Sequence, residues 1–476
     1  MSTEQIVLLT IFVPIIGSLT IPLAGAVSRS VRSAWALILG AVTAVLPLFL
    51  IPVALGGGEE ILRYPAVLGL NFTLIIDPLA VFTSIVSSFV GFLIILYSTG
   101  YIAREENQNE YYLMVVLFIG SMMGLVYSAN LIFMYLFWEI IAICCWRLIG
   151  FYRAKDHIVK ADKAFLITFF GAAVMLLGFV VIYGNTKTFD LVDMRGTLIP
   201  GAAVLLILFG MFSKSATVPL HTWLPDAGVA PTTVTALLHA AVLVKIGVYA
   251  YARIFLYTFD IPSGWKTAIP IIAVVSSLIA AGAATVENDF KRILAYSTVS
   301  QIGYIFLGFS VATPDGISGS LLFILMHGLA KAGLFLCAGI VIHATHNRDI
   351  REMGGLIKTM PFTAVAFLAC AFSVIGIPPF GGFFSKFLVI AGTVKAGQVW
   401  VAAVALFTAV LTMYYLLRVF GQVFLGEART PAREGTRSMV FVVSLLAILG
   451  LAAGILVSYP MKLANLAVTG ISWWSK

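Results

Sequence analysis

The chain has 476 residues, of which 61% are hydrophobic and only 11% are charged. A soluble globular protein is nearer half apolar and a quarter charged, so this composition excludes a soluble domain and indicates a polytopic membrane protein. The apolar runs are continuous and about 20 residues long, which excludes the alternating pattern of a membrane β-barrel. In such a protein the formal net charge of +8 informs topology rather than nucleic-acid binding.

Hydropathy predicts an all-α polytopic fold with about fourteen transmembrane helices, numbered here as spans 1 to 14 in chain order. The N-terminal segment has no basic region and no clear small-residue cleavage site, so we expect it to be retained as span 1. The loops are short, and no extramembrane domain is expected. The predicted spans lie at 5–27, 33–55, 72–99, 111–128, 130–150, 163–184, 199–221, 232–257, 265–286, 292–311, 317–343, 361–392, 398–424 and 438–459.

Two stretches repeat the tripeptide Phe-Ser-Lys beside helix-breaking residues. In span 7 Lys214 is followed by Pro219, and in span 12 Pro378 and Pro379 precede Lys386. Proline removes a backbone donor and clashes with the preceding turn, so both spans are predicted to be broken. Because the two spans are five apart, an odd number, a repeat of spans 4–8 as spans 9–13 would be inverted. The other interpretation is two unrelated kinked helices with a coincidental tripeptide.

The predicted organisation has four parts, of which the middle two are inverted five-helix repeats. If the repeat is real, we expect Lys214 and Lys386 to occupy equivalent positions, one in each unit. One unit would then open a water path to the cytoplasm and the other to the outside. The predicted boundaries are 1–105 for spans 1–3, 106–260 for the first repeat, 261–430 for the second repeat and 431–476 for span 14.

The distribution of loop lysines and arginines predicts the orientation. With strictly alternating spans, fifteen basic residues fall on one side and eight on the other, so the positive-inside rule predicts a cell-membrane protein with both termini outside. The predicted cytoplasmic set is Arg29, Arg32, Arg104, Arg153, Lys155, Lys160, Lys163, Lys291, Arg292, Arg348, Arg351, Lys358, Arg429, Arg433 and Arg437. The predicted outer set is Arg63, Lys187, Arg195, Arg253, Lys266, Lys395, Lys462 and Lys476.

Seven ionisable residues lie inside the predicted spans. A central charge costs about 2.5–3.5 kcal/mol on insertion scales, although structural pairing or snorkelling can explain some of them. A lone histidine such as His239 is more often a satisfied interior residue than a ligand. The apolar runs around Glu139, Lys214 and Lys386 are too long for easy snorkelling, which favours a functional role. The seven residues are Glu139, Lys214, His239, Lys245, His327, Lys331 and Lys386.

One acid, four lysines and two histidines suit proton transfer. Burial disfavours the charged form of a lysine, whereas a nearby carboxylate favours it. An acid that approaches or leaves would therefore switch a buried lysine between holding and releasing its proton, and Glu139 with Lys214 is the predicted switch. The sequence offers no catalytic nucleophile, metal site or cofactor site, and His343 and His346 at a span end suit a surface role.

Several segments resemble the antiporter-like membrane subunits shared by respiratory complex I, membrane-bound hydrogenase-type complexes and Mrp cation/proton antiporters. They are WEIIAICCWRLIGFY (138–152), FSKSATVPLHTWLPDAGVAPTTVTALLHA (212–240), NDFKRILAYSTVSQIGYIFLG (288–308), HGLAKAGLFLCAG (327–339) and the stretch from MGGLIKTMPFT to GIPPFGGFFSK (353–386). The resemblance implies about fourteen helices, inverted repeats and broken spans 7 and 12. It also implies further antiporter-like membrane subunits and peripheral iron–sulfur or redox subunits as partners, with protons transported and sodium left open.

The motifs also imply roles for individual residues. By resemblance, Glu139 is the acid of span 5, Lys214 the lysine of broken span 7 and Lys386 the exit lysine of span 12. Lys245 matches the span-8 lysine of some members, whereas others rely on a histidine, as at His239.

The remaining matches lie in span 11 and in one loop. His327 and Lys331 match the linking pair of span 11, and Pro225 and Asp226 match a loop motif with an expected structural role. The chain ends soon after span 14, so we expect it to lack the lateral helix of the longest complex I subunits. The resemblance favours a non-catalytic, proton-translocating subunit of an oxidoreductase complex. The alternatives are a component of a Mrp-type Na+/H+ antiporter and a purely structural scaffold.

Overall fold

The computed structural model describes residues 1–427, 429 and 432–471. Lys476, one of the predicted outer residues, lies outside this range. Within the described residues, twelve helices are long and apolar enough to cross a membrane, and the chain is a multi-pass helical membrane protein. Each of the twelve overlaps a predicted span. The two predicted spans that lack one long helix are spans 7 and 12, the same two for which breaks are predicted.

The secondary-structure elements follow the predicted order. The N-terminal part contains α1 (Thr3–Val27), α2 (Arg29–Val45), α3 (Ile51–Leu55), β1 (Glu60–Pro65), β2 (Asn71–Ile76) and α4 (Pro78–Tyr101). The first repeat contains α5 (Gln108–Tyr127), α6 (Leu131–Ile149), α7 (Lys155–Thr186), β3 (Thr197–Leu198), α8 (Gly201–Lys214), α9 (Trp223–Asp226), α10 (Thr232–Ala236), α11 (Leu243–Tyr251) and β4 (Phe259–Asp260). The remainder contains α12 (Ser263–Val286), α13 (Phe290–Ser310), α14 (Pro314–Thr345), α15 (Pro361–Ile375), α16 (Gly381–Lys395), α17 (Val399–Phe424), α18 (Arg437–Ile455) and α19 (Ser458–Thr469).

Span 3 begins later than its apolar run predicts. The run starts at residue 72, but residues 71–76 form strand β2, which pairs antiparallel with β1. Helix α4 begins only at Pro78, because the Asp77 side chain accepts a hydrogen bond from the Ala80 N–H at 2.8 Å and caps the helix. A short hairpin therefore precedes α4 in a fold that is otherwise helical. The second pair of strands, β3 and β4, is parallel and only two residues long.

The backbone repeats itself between the two predicted units. The Leu131 N–H donates to Phe189 O at 2.9 Å and, 159 residues further on, the Phe290 N–H donates to Arg348 O at the same distance. Helices α7 and α14, which the same offset superposes in sequence, each have 32 residues. Both end at a left-handed residue. Because five spans separate matching helices and consecutive spans run in opposite directions, the two units are inverted.

The breaks in spans 7 and 12 match each other with an offset of 160 residues. The Thr217 N–H donates to Phe212 O at 2.9 Å, and the Ile377 N–H donates to Phe372 O at 3.0 Å. In each unit this wide turn follows the end of the first half-helix, α8 or α15. The positive φ values of Ala216 (54°) and Gly376 (92°) fall inside the two turns.

The prediction that Lys214 and Lys386 are equivalent is wrong. Lys214 is the last residue of α8, before its break, whereas Lys386 lies within α16, after the other break. With the offset of the two turns, Lys214 corresponds to Val374 and Lys386 corresponds to Asp226. The two tripeptides are similar in sequence but lie on opposite sides of their breaks. The backbone hydrogen bonds of each turn, and not the tripeptide, determine where the half-helix ends.

Arg253, one of the predicted outer basic residues, is buried instead. Its side chain is 2% exposed, and two of its guanidinium nitrogens donate to the two Asp77 carboxylate oxygens at 2.6 and 2.8 Å. The Tyr249 hydroxyl accepts two further hydrogen bonds from the same guanidinium. Since Asp77 caps α4 and Arg253 follows α11, this ion pair joins the N-terminal part of the chain to the first repeat.

We expect Asp77→Asn to lower the free energy of unfolding, measured in mixed micelles, by about 3–5 kcal/mol. Asparagine keeps the helix cap but leaves the buried Arg253 charge without its counter-ion. The matched control is Asp193→Asn, which removes the partner of the exposed Arg63 at 2.6 Å and should cost at most about 1 kcal/mol. Equal losses in the two variants would contradict a special role for the buried pair.

Candidate functional site

Lys214 lies beside Trp138, the buried residue that directly precedes Glu139 in the sequence. Lys214 Nζ lies 5.6 Å from the centroid of the Trp138 ring, within cation–π range, and Trp138 adjoins Glu139 in α6. The Lys214 side chain is buried, whereas Glu139 is half-buried. Among the described residues, neither Lys214 Nζ nor Glu139 Oε1 has a hydrogen-bond partner. Glu139 and Lys214 form no ion pair with each other, so their separation can change without the loss of a bond between them.

Span 8 departs from a regular helix at the residues predicted to act. Residues Leu237–Ala241 form a π-helical turn, and Val242 (φ −131°) separates it from α11. His239 lies in this turn, with its ring centroid 4.4 Å from that of Phe335 on α14. Lys245 Nζ donates a hydrogen bond to the Ala240 carbonyl of the same turn. The irregular turn thus holds both predicted residues of span 8 against α14.

The span-11 pair lies on α14, which crosses the interior of the bundle. His327 and Lys331 are both fully buried, and Lys331 Nζ donates to the Leu294 carbonyl of α13 at 3.1 Å. Gly328 follows His327 and lies against Lys245, since a Cβ at Gly328 would stand 2.6 Å from Lys245 Nζ. The structure therefore brings the span-8 lysine next to the span-11 pair, although the two belong to different repeats.

Lys386 lies on the far side of α14. Its ammonium group donates to the Ile375 carbonyl at the end of α15 at 3.4 Å. The Nζ atom also lies 4.8 Å from the centroid of the Tyr304 ring and 5.8 Å from that of Phe323. Because Phe323 stands one helical turn before His327, these aromatic rings connect Lys386 to the pair on α14.

The seven predicted residues lie on six separate helical segments: α6, α8, the π-helical turn, α11, α14 and α16. Among the described residues, none of the seven donates a hydrogen bond to another. The nitrogen atoms of His239 and His327 have no partner within the described chain. Proton transfer between neighbours would therefore need bridging water or a side-chain movement. Three supporting features carry no obvious sequence signal: the Trp138 ring, the Tyr304 ring and the π-helical turn.

The loop residue Asp226 joins the two repeats through an ion network. Its carboxylate accepts hydrogen bonds from Lys163 Nζ at 2.7 Å and from Arg292 Nη1 at 2.8 Å. Lys163 belongs to α7 and Arg292 to α13, and Arg292 also binds Glu287 at 2.8 Å. Burial alone would raise the pKa of Asp226, but the two cations outweigh it and lower the pKa below its ordinary value. The structural role expected for this loop motif is therefore a link between α7 and α13.

Comparison with protein families matches most of the chain to membrane subunits of two kinds of complex. Residues 128–412 match the family model described as NADH:quinone oxidoreductase/Mrp antiporter, TM. Residues 65–112 match the model described as the N-terminus of NADH-ubiquinone oxidoreductase (complex I) chain 5.

Curated relatives are similar over nearly the whole chain. The A1 component of the Na(+)/H(+) antiporter of Staphylococcus haemolyticus is 31% identical over 98% of this chain. The corresponding component of the Na(+)/H(+) antiporter of Alkalihalophilus pseudofirmus is 34% identical over 87% of it. This chain spans only 63% and 56% of the length of those two relatives.

Solved structures share the fold. A chain of the Mrp complex from Dietzia sp. DQ12-45-1b superposes with a TM-score of 0.89 at 24% identity, covering 99% of this chain and 98% of that one. A chain of an archaeal membrane-bound sulfane sulfur reductase gives 0.89 at 25% identity, with 98% of each chain covered. A chain of respiratory complex I from Thermus thermophilus gives 0.85 at 23% identity, covering 98% of this chain and 100% of that one.

We expect Gly328→Ala to impair the predicted proton transfer without destabilising the fold. The new Cβ would stand 2.6 Å from Lys245 Nζ, and the flexible lysine would move away from α14. Helical Gly→Ala changes otherwise stabilise by about 0.5–1 kcal/mol. The measurements are proton movement in membrane vesicles and the thermal midpoint of the purified protein.

Gly450→Ala on α18 is the matched control, because no atom lies within 4 Å of a Cβ added there. It should leave proton movement unchanged. Equal proton movement in the two variants would show that the position of Lys245 beside α14 is unimportant.

Proposed function

The chain belongs to the NADH:quinone oxidoreductase/Mrp antiporter membrane family, and we propose that it moves protons across the membrane through its buried relay. The observation that carries this proposal is Lys214, a fully buried ammonium group without a hydrogen-bond partner in the described chain, placed at the end of a broken helix. Such a group is costly in a membrane interior, and function is the usual reason for its presence.

The proposed first step is a change in the distance between Glu139 and Lys214. An approaching carboxylate favours the protonated lysine, and a retreating one favours release of the proton. The break after Lys214 supports this step, because α8 ends at this residue and Lys214 does not lie within a continuous helix. A signal that reaches α6 from a neighbouring protein of the complex would be sufficient to move the acid.

The proposed second step carries the proton from the first repeat to the second. The Ser215 hydroxyl donates to the Val244 carbonyl at 2.9 Å, so the residues that follow Lys214 and precede Lys245 are in direct contact. From Lys245 the path would continue past His239 to His327 and Lys331 on α14. The ammonium groups of Lys245 and Lys331 are each held by a neutral carbonyl oxygen, which allows either protonation state.

The proposed exit is Lys386. Its position after the break in span 12, while Lys214 precedes the break in span 7, supports two half-paths that approach the interior from opposite half-helices. With the orientation predicted from the loop charges, the first half-path would open to the cytoplasm and the second to the outside.

Two parent complexes are compatible with this relay. The names of the curated relatives favour a Mrp-type Na+/H+ antiporter, and we place that assignment first, reversing the order expected from the sequence. The second candidate is a redox-driven complex with iron–sulfur partner subunits. It is supported by the sulfane sulfur reductase chain, which superposes with the same TM-score of 0.89 as the Mrp chain. In both cases the chain would act as a non-redox component beside other membrane subunits.

We expect Lys214→Arg to reduce proton translocation by about a hundredfold or more. Arginine keeps the charge but does not release a proton near neutral pH. The measurement is dye-detected proton movement in inverted vesicles from cells that lack the native chain, with assembly checked by native gel. Lys358→Arg, the same change at an exposed position, is the control and should be silent. Full translocation by the Lys214→Arg variant would refute the lysine relay.

The parent complex can be identified by purifying the tagged chain from its native membrane and determining its partners by mass spectrometry. We expect small membrane antiporter subunits and no iron–sulfur protein, together with sodium-dependent proton movement in the reconstituted complex. Recovery of iron–sulfur subunits would reject the antiporter assignment and support the redox complex, while leaving the relay itself intact.

A further inference from the structure

The inverted repeat forms the same cavity twice, once at each end of the bundle. One cavity lies at the start of α13 and the end of α14, and has a volume of about 480 Å³. The other lies at the matching places of the first repeat, the start of α6 and the end of α7, and also has a volume of about 480 Å³. The linings correspond through the offset of 159 residues: Lys291 with Ile132, His346 with Lys187 and Arg348 with Phe189.

Cations are concentrated in only one of these two cavities. The first, which we call the basic cavity, is lined by Arg104, Lys291 and Arg348, by two histidines and by a single acid, Glu105. The charged residues in the second, the mate cavity, are Lys187 and Asp190, which balance. Both cavities keep the same backbone hydrogen bonds at the crossing of their helices. The fold therefore does not require the cations of the basic cavity, since the uncharged Ile132 and Phe189 occupy the positions in the mate cavity that match Lys291 and Arg348.

The arginines of the basic cavity lack partners in the protein. Within the described part of the chain, the side chains of Arg104 and Arg348 take part in no ion pair or hydrogen bond. By contrast, the mate cavity's Asp190 accepts a hydrogen bond from the Thr73 hydroxyl at 2.5 Å. Seven of the thirteen other arginines have an acidic partner within the described residues; ion pairs are formed by Arg63, Arg147, Arg153, Arg195, Arg253, Arg292 and Arg351.

Lys291 contributes a fixed positive charge to the lining of the basic cavity. Its side chain is buried, and its ammonium group donates to the Ala230 carbonyl at 2.8 Å and to the Gly228 carbonyl at 3.3 Å. The charge of Lys291 is therefore held in place, whereas Arg104 and Arg348 are free to close on a ligand. Tyr101 and Tyr152 also line the cavity, as is common for aromatic residues at the level of lipid headgroups.

We propose that the basic cavity binds a phosphate-bearing anion, with Arg104 and Arg348 as its main contacts. The planar guanidinium group matches phosphate oxygens with two parallel hydrogen bonds. The volume suits a small polar ligand or headgroup. All three cations belong to the predicted cytoplasmic set, and basic pockets between helices on that side bind anionic headgroups. The ligand is the headgroup of an anionic phospholipid or free phosphate, and the assignment does not depend on the proton relay.

The test compares the full chain, reconstituted in nanodiscs, with two variants. Arg104→Gln/Arg348→Gln removes both free cations, and Lys187→Gln removes the cation of the mate cavity as the matched control. The probes are phosphatidylglycerol in a phosphatidylcholine background, counted by native mass spectrometry, and inorganic phosphate, followed by the thermal midpoint. We expect the wild-type protein and Lys187→Gln to retain phosphatidylglycerol selectively, and the double variant to bind it about tenfold or more weakly.

If inorganic phosphate displaces phosphatidylglycerol, the cavity recognises the phosphate group itself. If the retention of phosphatidylglycerol does not change with added phosphate, the ligand is the lipid headgroup. Equal retention by the double variant and the wild-type protein would overturn the proposal, as would equal retention of phosphatidylcholine. In pure phosphatidylcholine, removing two unpaired cations should raise the thermal midpoint, because their mutual repulsion disappears. A lower midpoint would show that the arginines serve the fold, and would also overturn the proposal.

Discussion

The interaction on which the interior of this protein depends is the hydrogen bond from a buried ammonium group to a backbone carbonyl. Lys245 donates to Ala240, Lys331 to Leu294 and Lys386 to Ile375. A carbonyl oxygen satisfies the charged group in a medium without water, but it exerts a weaker hold on the proton than a carboxylate does. Helix irregularities supply two of these three acceptors: the π-helical turn of span 8 holds Lys245, and the end of α15 holds Lys386.

The acids of this chain are used in the opposite way, to hold charges in place. Asp77 fixes Arg253 with two short hydrogen bonds, and Asp226 holds Lys163 and Arg292 together across the two repeats. The Asp77 pair is buried and cannot separate without a large cost, whereas the Asp226 pairs are partly exposed. Glu139 differs, because it influences Lys214 without an ion pair. The paired acids link helices to each other, and of these three acids only Glu139 is without an ion pair among the described residues.

The sequence was sufficient for the architecture and for the placement of the seven predicted residues within helical segments, because long apolar runs, prolines and isolated charges are local signals. It was insufficient wherever the answer depended on contacts between distant residues. Arg253 looked like an outer loop residue, since its partner Asp77 lies 176 positions away. The equivalence of Lys214 and Lys386 failed for a similar reason, because a shared tripeptide does not determine where a half-helix ends. The π-helical turn has no composition that distinguishes it from α-helix.

The inverted repeat duplicates the backbone but not the chemistry. At the offsets set by the backbone hydrogen bonds, Glu139 corresponds to Thr298, His327 to Thr168 and Lys331 to Ala172. In the relay that we propose, the acid therefore stands at one end only, and the two halves of the path differ in their side chains. The same inequality of side chains on matching backbones separates the basic cavity from its mate.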